Sequence, residues 1–69
     1  MKTEVTASQA AEILSISYVT IHRRVDDGTL RARRQGLNRM VMIDIGDLRS
    51  FADQYGYRFD EKIAAQYSE

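Results

Sequence analysis

Apolar residues near the start of the chain recur at helical spacing in two short runs. Ala10, Ile13 and Leu14 share one face of a first amphipathic helix. Ile21 and Val25, about one helical turn apart, do the same for a second helix. Only a Ser-Ile-Ser segment separates the two runs. The pattern therefore predicts two short helices with a tight turn between them.

Residues that cap helices mark the ends of both runs. Thr6 is a good N-cap, and Gln9 three positions later completes a capping-box pattern. Ser17 can cap the second helix, and Gly28 suits the position just beyond its end. Two helices joined this closely, the second carrying basic side chains, are the sequence form of a helix-turn-helix.

The next segment has the pattern of a β-hairpin. Residues 32–35 are interpreted as a strand, 36–38 as a turn and 40–43 as the returning strand. Gly36 and Asn38 belong to the residue types that tolerate positive φ in such turns.

Alternation along the returning strand predicts its two faces. Val41 and Ile43 are expected to face the core. Met40 and Met42 then lie on the opposite face, where either core packing or contact with a partner would explain them.

A third helix follows directly. Asp44 is its expected N-cap, Asp47 favours its first turn, and Gly56 ends it. Its predicted apolar stripe consists of Ile45, Leu48, Phe51, Ala52 and Tyr55.

A last, short helix is predicted after Asp60, through Ile63, Ala64 and Tyr67. It is too short to be stable alone, so it is stabilised either by packing on the domain or by binding a partner. The chain is accordingly divided into a domain over residues 1–56, which holds the helix-turn-helix, the hairpin and the third helix, and a helical tail over 57–69.

Charge is polarised along the chain, although 10 basic residues balance 10 acidic ones. Between residues 20 and 40, six arginines stand against two acids, a local charge of +4; the rest has four bases and eight acids. Such a chain can present a basic face to phosphates, although most charge runs are simply solvated. Arginine favours the first interpretation, since its planar fork fits phosphate and guanine edges. The six are Arg23, Arg24, Arg31, Arg33, Arg34 and Arg39.

Composition argues against several other classes of protein. With no cysteine and one histidine, neither disulfides nor a zinc site is expected, which fits a cytoplasmic protein. No apolar run approaches membrane-spanning length, and the N-terminus lacks the core of a signal peptide. No cofactor is needed to explain the methionines and tyrosines. A domain of 69 residues has little room for a substrate pocket, so an enzyme is not expected.

The chain resembles the excisionase-like winged helix-turn-helix family, which is related to the DNA-binding domain of the MerR regulators. The family pattern appears here as TASQAAEIL, SIS, VTIHRRV, DDGTL, ARRQGLNR and IGDLRSF, over residues 6–51. The resemblance implies a mostly α fold with a small β-hairpin. Its expected order is helix-turn-helix, two-stranded wing, third helix and short C-terminal helix.

Three features depart from the family pattern. Ser15 replaces the usual turn glycine and would be strained if it is left-handed. Arg24 occupies a position of the second helix, the recognition helix of the family, that is usually apolar. The hairpin, or wing, is about two residues longer than the common form. Arg24 is expected either to contact DNA or to form an ion pair with Asp27 or a third-helix acid. Asp26 and Asp27 are expected to face away from phosphate and to serve solubility.

Helical geometry predicts which side chains of the second helix meet DNA. Val19 and Arg23 point outward, so Val19 could touch a thymine methyl and Arg23 could pair with guanine. The side chains beside them are suited to phosphate contacts. For Tyr18, packing is an equal alternative. For His22, the alternative is an ordinary surface position. The helix candidates are Ser17, Tyr18, Val19, Thr20, His22 and Arg23.

The wing is the second expected contact, on the phosphate backbone or in a narrow minor groove. Strand alternation means that Arg33 and Arg34 cannot both point the same way. Arg34 and Arg39 are the favoured wing contacts, from a set of candidates around the tip that consists of Arg33, Arg34, Gln35, Asn38 and Arg39.

Three functions remain open at this point. The resemblance favours an excisionase, or recombination directionality factor, of a phage or mobile element. Such a protein binds and bends DNA cooperatively, through self-association in which the tail could take part, and helps an integrase. A small transcription regulator could use the same surface at a promoter. The third alternative is a protein-interaction module that does not bind DNA.

Overall fold

The computed structural model describes residues 4–38 and 40–67. Apart from one added strand at the start, its helices and strands follow the order expected of a winged helix-turn-helix, so the predicted fold class is confirmed. In chain order they are β1 (Glu4–Thr6), α1 (Ala7–Leu14), α2 (Tyr18–Asp26), β2 (Arg33–Gln35), β3 (Met40–Asp44), α3 (Ile45–Tyr55) and α4 (Glu61–Tyr67).

Helix α1 begins at the predicted capping box. The backbone N–H of Gln9 donates to Thr6 Oγ1 at 3.1 Å, and the backbone N–H of Thr6 donates to Gln9 Oε1 at 2.9 Å. The helix ends at Ser15, which has φ 57° and ψ 42° in the left-handed region. This residue turns the chain directly into α2 and carries the strain that the missing glycine predicted.

Helix α2 is capped by Ser17, whose hydroxyl oxygen accepts from the backbone N–H of Thr20 at 3.3 Å. The chain reverses at Gly28, where φ is 83°. Leu30 returns to the core at 2 % exposure, and its N–H donates to the carbonyl of Arg24. This hydrogen bond connects the last turn of α2 to the segment that leads into the wing.

The sheet has three antiparallel strands in the order β1-β3-β2. Strands β2 and β3 form the predicted wing, with Arg34 paired to Val41. Strand β1 was not predicted; it adds to the other edge of β3, with Val5 opposite Ile43. Three residues with one buried side chain are too few to give a period-two signal.

Helices and sheet enclose one hydrophobic core. In the wing, Met42 is buried at 8 % exposure, whereas Met40 is 49 % exposed, and contact of Met40 with a partner stays a prediction. The largest fully buried side chains are Val5, Ile13, Leu14, Ile21, Ile43 and Leu48.

Gly36, with φ 77°, supplies the left-handed conformation of the turn. One detail of the sequence interpretation was wrong. Tyr55, assigned to the apolar stripe of α3, is 52 % exposed because it lies in the final turn. Its ring still contacts Phe51, with centroids 5.0 Å apart.

Helix α4 packs on the rest of the domain. Ala64 is 4 % exposed and belongs to the core, and the N–H of Asp60 donates to the carbonyl of Ile13 at 3.0 Å. The Tyr67 hydroxyl donates to the carboxylate of Glu12 on α1. Of the two alternatives for this helix, packing is therefore the one observed, while the domain boundary after Gly56 stays a prediction.

Candidate nucleic-acid interface

One face of α2 is open to solvent. Val19 is 57 % exposed and Arg23 is exposed, whereas Ile21 on the other side is fully buried. The helical wheel predicted this orientation. Among residues 4–38 and 40–67, neither Arg23 nor Arg31 forms an ion pair with an acid. Arg23 is thus a solvent-facing guanidinium on the exposed face of α2.

The start of α2 carries an aromatic pair. The rings of Tyr18 and His22 meet edge to face, with centroids 4.5 Å apart, and Tyr18 is 52 % exposed. His22 Nε2 is buried and has no hydrogen-bond partner among the described residues. Tyr18 therefore contacts a neighbour on its own helix while half of its surface stays available.

A shallow concavity of about 430 Å³ lies between the helices and the wing. It joins the first turn of α1, the first half of α2 and the tip of the wing. Sequence reasoning missed the contribution of α1, although the Thr6 capping box was a signal for a helix N-terminus there. The lining residues are Thr6, Ala7, Ser8, Tyr18, His22, Asn38, Met40 and Val41.

The two adjacent arginines of β2 point to different neighbours, as alternation predicted. Arg33 donates to the Glu4 carboxylate, with 2.6 Å between Arg33 Nε and Glu4 Oε2. Arg34 Nη2 lies 3.5 Å from Asp26 Oδ1 at the end of α2. Arg33 thus joins the wing to β1, and Arg34 joins it to α2.

The Arg33 contact changes the acidity of its partner. Its hydrogen bonds, together with its positive charge, lower the pKa of the Glu4 carboxyl, and desolvation opposes them. The same hydrogen bonds raise the pKa of the Arg33 guanidinium. Arg33 is therefore paired with a carboxylate within the protein, and it was not among the favoured wing contacts.

The acids at the end of α2 do more than confer solubility. Asp27 accepts from the N–H of Thr29 at 2.9 Å and from Arg24 Nη1 at 3.1 Å. Hydrogen bonds from Thr29 and the charge of Arg24 lower the pKa of Asp27. The predicted ion pair between Arg24 and Asp27 is thus present, and it stabilises the turn after α2.

The remaining candidates are distributed as follows. Ser17, Gln35 and Asn38 are exposed, and Thr20 is partly buried. Arg39 lies outside the described residues. The site consequently combines the exposed face of α2 with the strand and turn residues of the wing.

A family model described as a helix-turn-helix domain matches residues 4–62. The chain belongs to this helix-turn-helix domain family. The match extends past α3 to the first residues of α4, beyond the span of residues 6–51 that carried the sequence resemblance. No match was found among curated proteins or among solved structures.

Membership of the helix-turn-helix domain family indicates DNA binding. None of the described helices is long and apolar enough to span a membrane. Nor do the described residues contain a cluster of three or more potential metal ligands.

Proposed function

We propose that this helix-turn-helix domain binds double-stranded DNA in a sequence-specific manner. Helix α2 enters the major groove, and the wing lies on the adjacent backbone or minor groove. The observation that carries this proposal is the exposed face of α2, with Val19 and Arg23. The first half of the same helix lines a concavity together with the wing. An α-helix fits the major groove, where base pairs are distinguishable.

Arg23 and Val19 are the proposed base-reading residues. Arg23 forms no ion pair with a described acid, so its guanidinium can offer two parallel donors to guanine O6 and N7. Val19, one turn earlier on the same face, offers an apolar surface to a thymine methyl.

Polar groups at the start of α2 are the proposed phosphate contacts. The Ser17 oxygen already accepts from Thr20, but its hydroxyl proton is free to be donated to a phosphate oxygen. Tyr18 offers a second hydroxyl, and Thr20 and His22 flank it. These contacts set the register of α2 on the duplex without reading sequence.

On the wing, Arg34, Gln35, Asn38 and Arg39 are the proposed contacts. Gln35 and Asn38 are exposed amides, and Arg34 is about half exposed despite its contact with Asp26. Arg33 is assigned a supporting role, since it binds Glu4.

The specific role that we propose is that of an excisionase-like recombination directionality factor. The resemblance over residues 6–51, which also relates the chain to MerR DNA-binding domains, supports it. One recognition helix reads only a few base pairs, so useful specificity requires several copies or a second protein. Cooperative self-association on DNA, with the tail as a contact and an integrase as partner, would supply it. A small promoter-binding regulator is the alternative role.

Fluorescence anisotropy on tiled duplexes from the DNA flanking the gene, at two salt concentrations, tests the proposal. We expect salt-sensitive binding to one tile, with several copies loading cooperatively. Cooperative binding beside recombination sites supports the excisionase role, whereas binding confined to a promoter supports the regulator. Binding no tighter than to a random duplex at low salt would overturn both.

A further inference from the structure

Leu37 is the most exposed large apolar residue of the described chain. Its relative exposure is 104 %, whereas those of the other exposed large apolar side chains lie between 49 % and 57 %. Tyr18 and Tyr55 each contact an aromatic neighbour. Among residues 4–38 and 40–67 Leu37 has no packing partner, so its whole side chain is available to a partner.

The position of Leu37 indicates what that partner is. It follows Gly36, which turns the chain with φ 77°, and it lies within the loop closed by the Gln35–Met40 pair. The next residue, Asn38, lines the concavity shared with α2. Leu37 is therefore at the tip of the wing, on the element expected to reach the groove next to that occupied by α2.

We propose that Leu37 is an apolar wedge that inserts between base pairs from the minor groove and kinks the duplex. The inference rests on the proposed DNA-binding function. Proteins that bend DNA from the minor groove use single apolar side chains in this way, flanked by residues that hold the backbone. Here the flanking residues are the amides of Gln35 and Asn38 and the guanidinium of Arg34.

The sequence of the bound step follows from the energetics of the duplex. Pyrimidine–purine steps unstack and kink most readily. Leu37 is therefore expected at a TA or CA/TG step beside the bases that α2 reads. Because the side chain is fully exposed before binding, insertion buries it without disturbing the folded protein.

Two substitutions of Leu37 test the wedge. Leu37→Ser removes the apolar side chain, and Leu37→Met keeps a side chain of the kind that acts as a wedge. Since Leu37 has no contacts to lose, both variants should unfold at the temperature of the unmodified protein. The duplex is the tile bound in the anisotropy experiment, with donor and acceptor dyes at its ends and 2-aminopurine at the candidate step.

We expect the unmodified protein and Leu37→Met to raise energy transfer between the ends and to increase 2-aminopurine fluorescence several-fold. Leu37→Ser should still bind the tile, but with most of both signals lost. Equal bending by Leu37→Ser, or binding without bending by the unmodified protein, would overturn the wedge while DNA binding stands. Failure of the unmodified protein to bind any tile would overturn both.

Discussion

Arg33 and Glu4 join the two outer strands of the sheet across β3. Arg33 Nε and Nη2 donate to the two carboxylate oxygens of Glu4 at 2.6 and 2.5 Å. Two parallel hydrogen bonds fix the relative orientation of the two side chains as well as the distance between them. Because both side chains are partly exposed to solvent, the pair contributes little to the free energy of unfolding. It orients the wing relative to β1 and the rest of the domain.

The Glu4–Arg33 pair should make stability depend on pH. The pKa of Glu4 is lowered in the folded state, so the pair contributes above the ordinary Glu pKa of about 4.3 and is lost as the pH falls through the folded value. We expect Glu4→Gln to reduce the free energy of unfolding in urea at pH 7. At pH 3 the difference from the unmodified protein should shrink. A deficit that persists undiminished at pH 3 would exclude the charged pair as its cause.

Replacing the strained turn residue should stabilise the protein. Ser15 has φ 57°, which glycine adopts without steric cost, so Ser15→Gly should raise the free energy of unfolding by about 1 kcal/mol. Ser50→Gly, the same change at an exposed position inside α3, is the matched control and should lower it by about 0.5 kcal/mol. Destabilisation by both substitutions to a similar extent would mean that the Ser15 strain is not relieved.

Removing the acid on the outward side of α2 should strengthen DNA binding. Asp26 was predicted to face away from phosphate, but it is exposed and contacts Arg34 of the wing. It is seven residues after Val19, within about 20° of it around the helix axis. Asp26→Asn removes repulsion from phosphate and releases Arg34 from its 3.5 Å contact. We expect several-fold tighter binding in anisotropy titrations, while Asp53→Asn on the exposed surface of α3 has little effect. Weaker binding by Asp26→Asn would instead mean that Asp26 holds Arg34 in its working position.

Truncation after Gly56 should destabilise the domain. It removes Ala64 from the core and the Tyr67 contact with Glu12. We expect a lower unfolding temperature by circular dichroism than for a chain ending at Tyr67. Equal unfolding temperatures would favour the separate tail predicted for residues 57–69. Loss of cooperative loading with single-site binding retained would then identify that tail as a contact between copies on DNA.

Local sequence determined most of the helices. The capping box of Thr6 and Gln9 and the N-caps Ser17 and Asp44 involve residues within a few positions of one another, so their patterns are visible in the chain. The pair of Arg24 with Asp27 was foreseeable for the same reason.

Contacts distant in sequence were not foreseeable. Strand β1 exists only because β3 supplies its hydrogen-bonding partner, and Glu4 meets Arg33 across 29 positions. Likewise, the exposure of Leu37 depends on how far the wing projects from the body. Among the DNA-contact candidates, the outward face of α2 was predictable from helical geometry alone. For Arg33 and Arg34, strand alternation predicted that the side chains point in different directions, but not which residues they contact.

The most direct test of the central claim, that α2 reads bases, combines Arg23→Ala with base substitution in the bound tile. Arg23→Ala should cost about 1–3 kcal/mol of binding free energy on the native tile, and replacing the contacted guanine should then cost little more. Arg58→Ala, which removes the same charge from the exposed connection before α4, should bind and discriminate like the unmodified protein. If Arg23→Ala keeps full affinity and full discrimination at every guanine of the tile, α2 does not read the DNA in the proposed way.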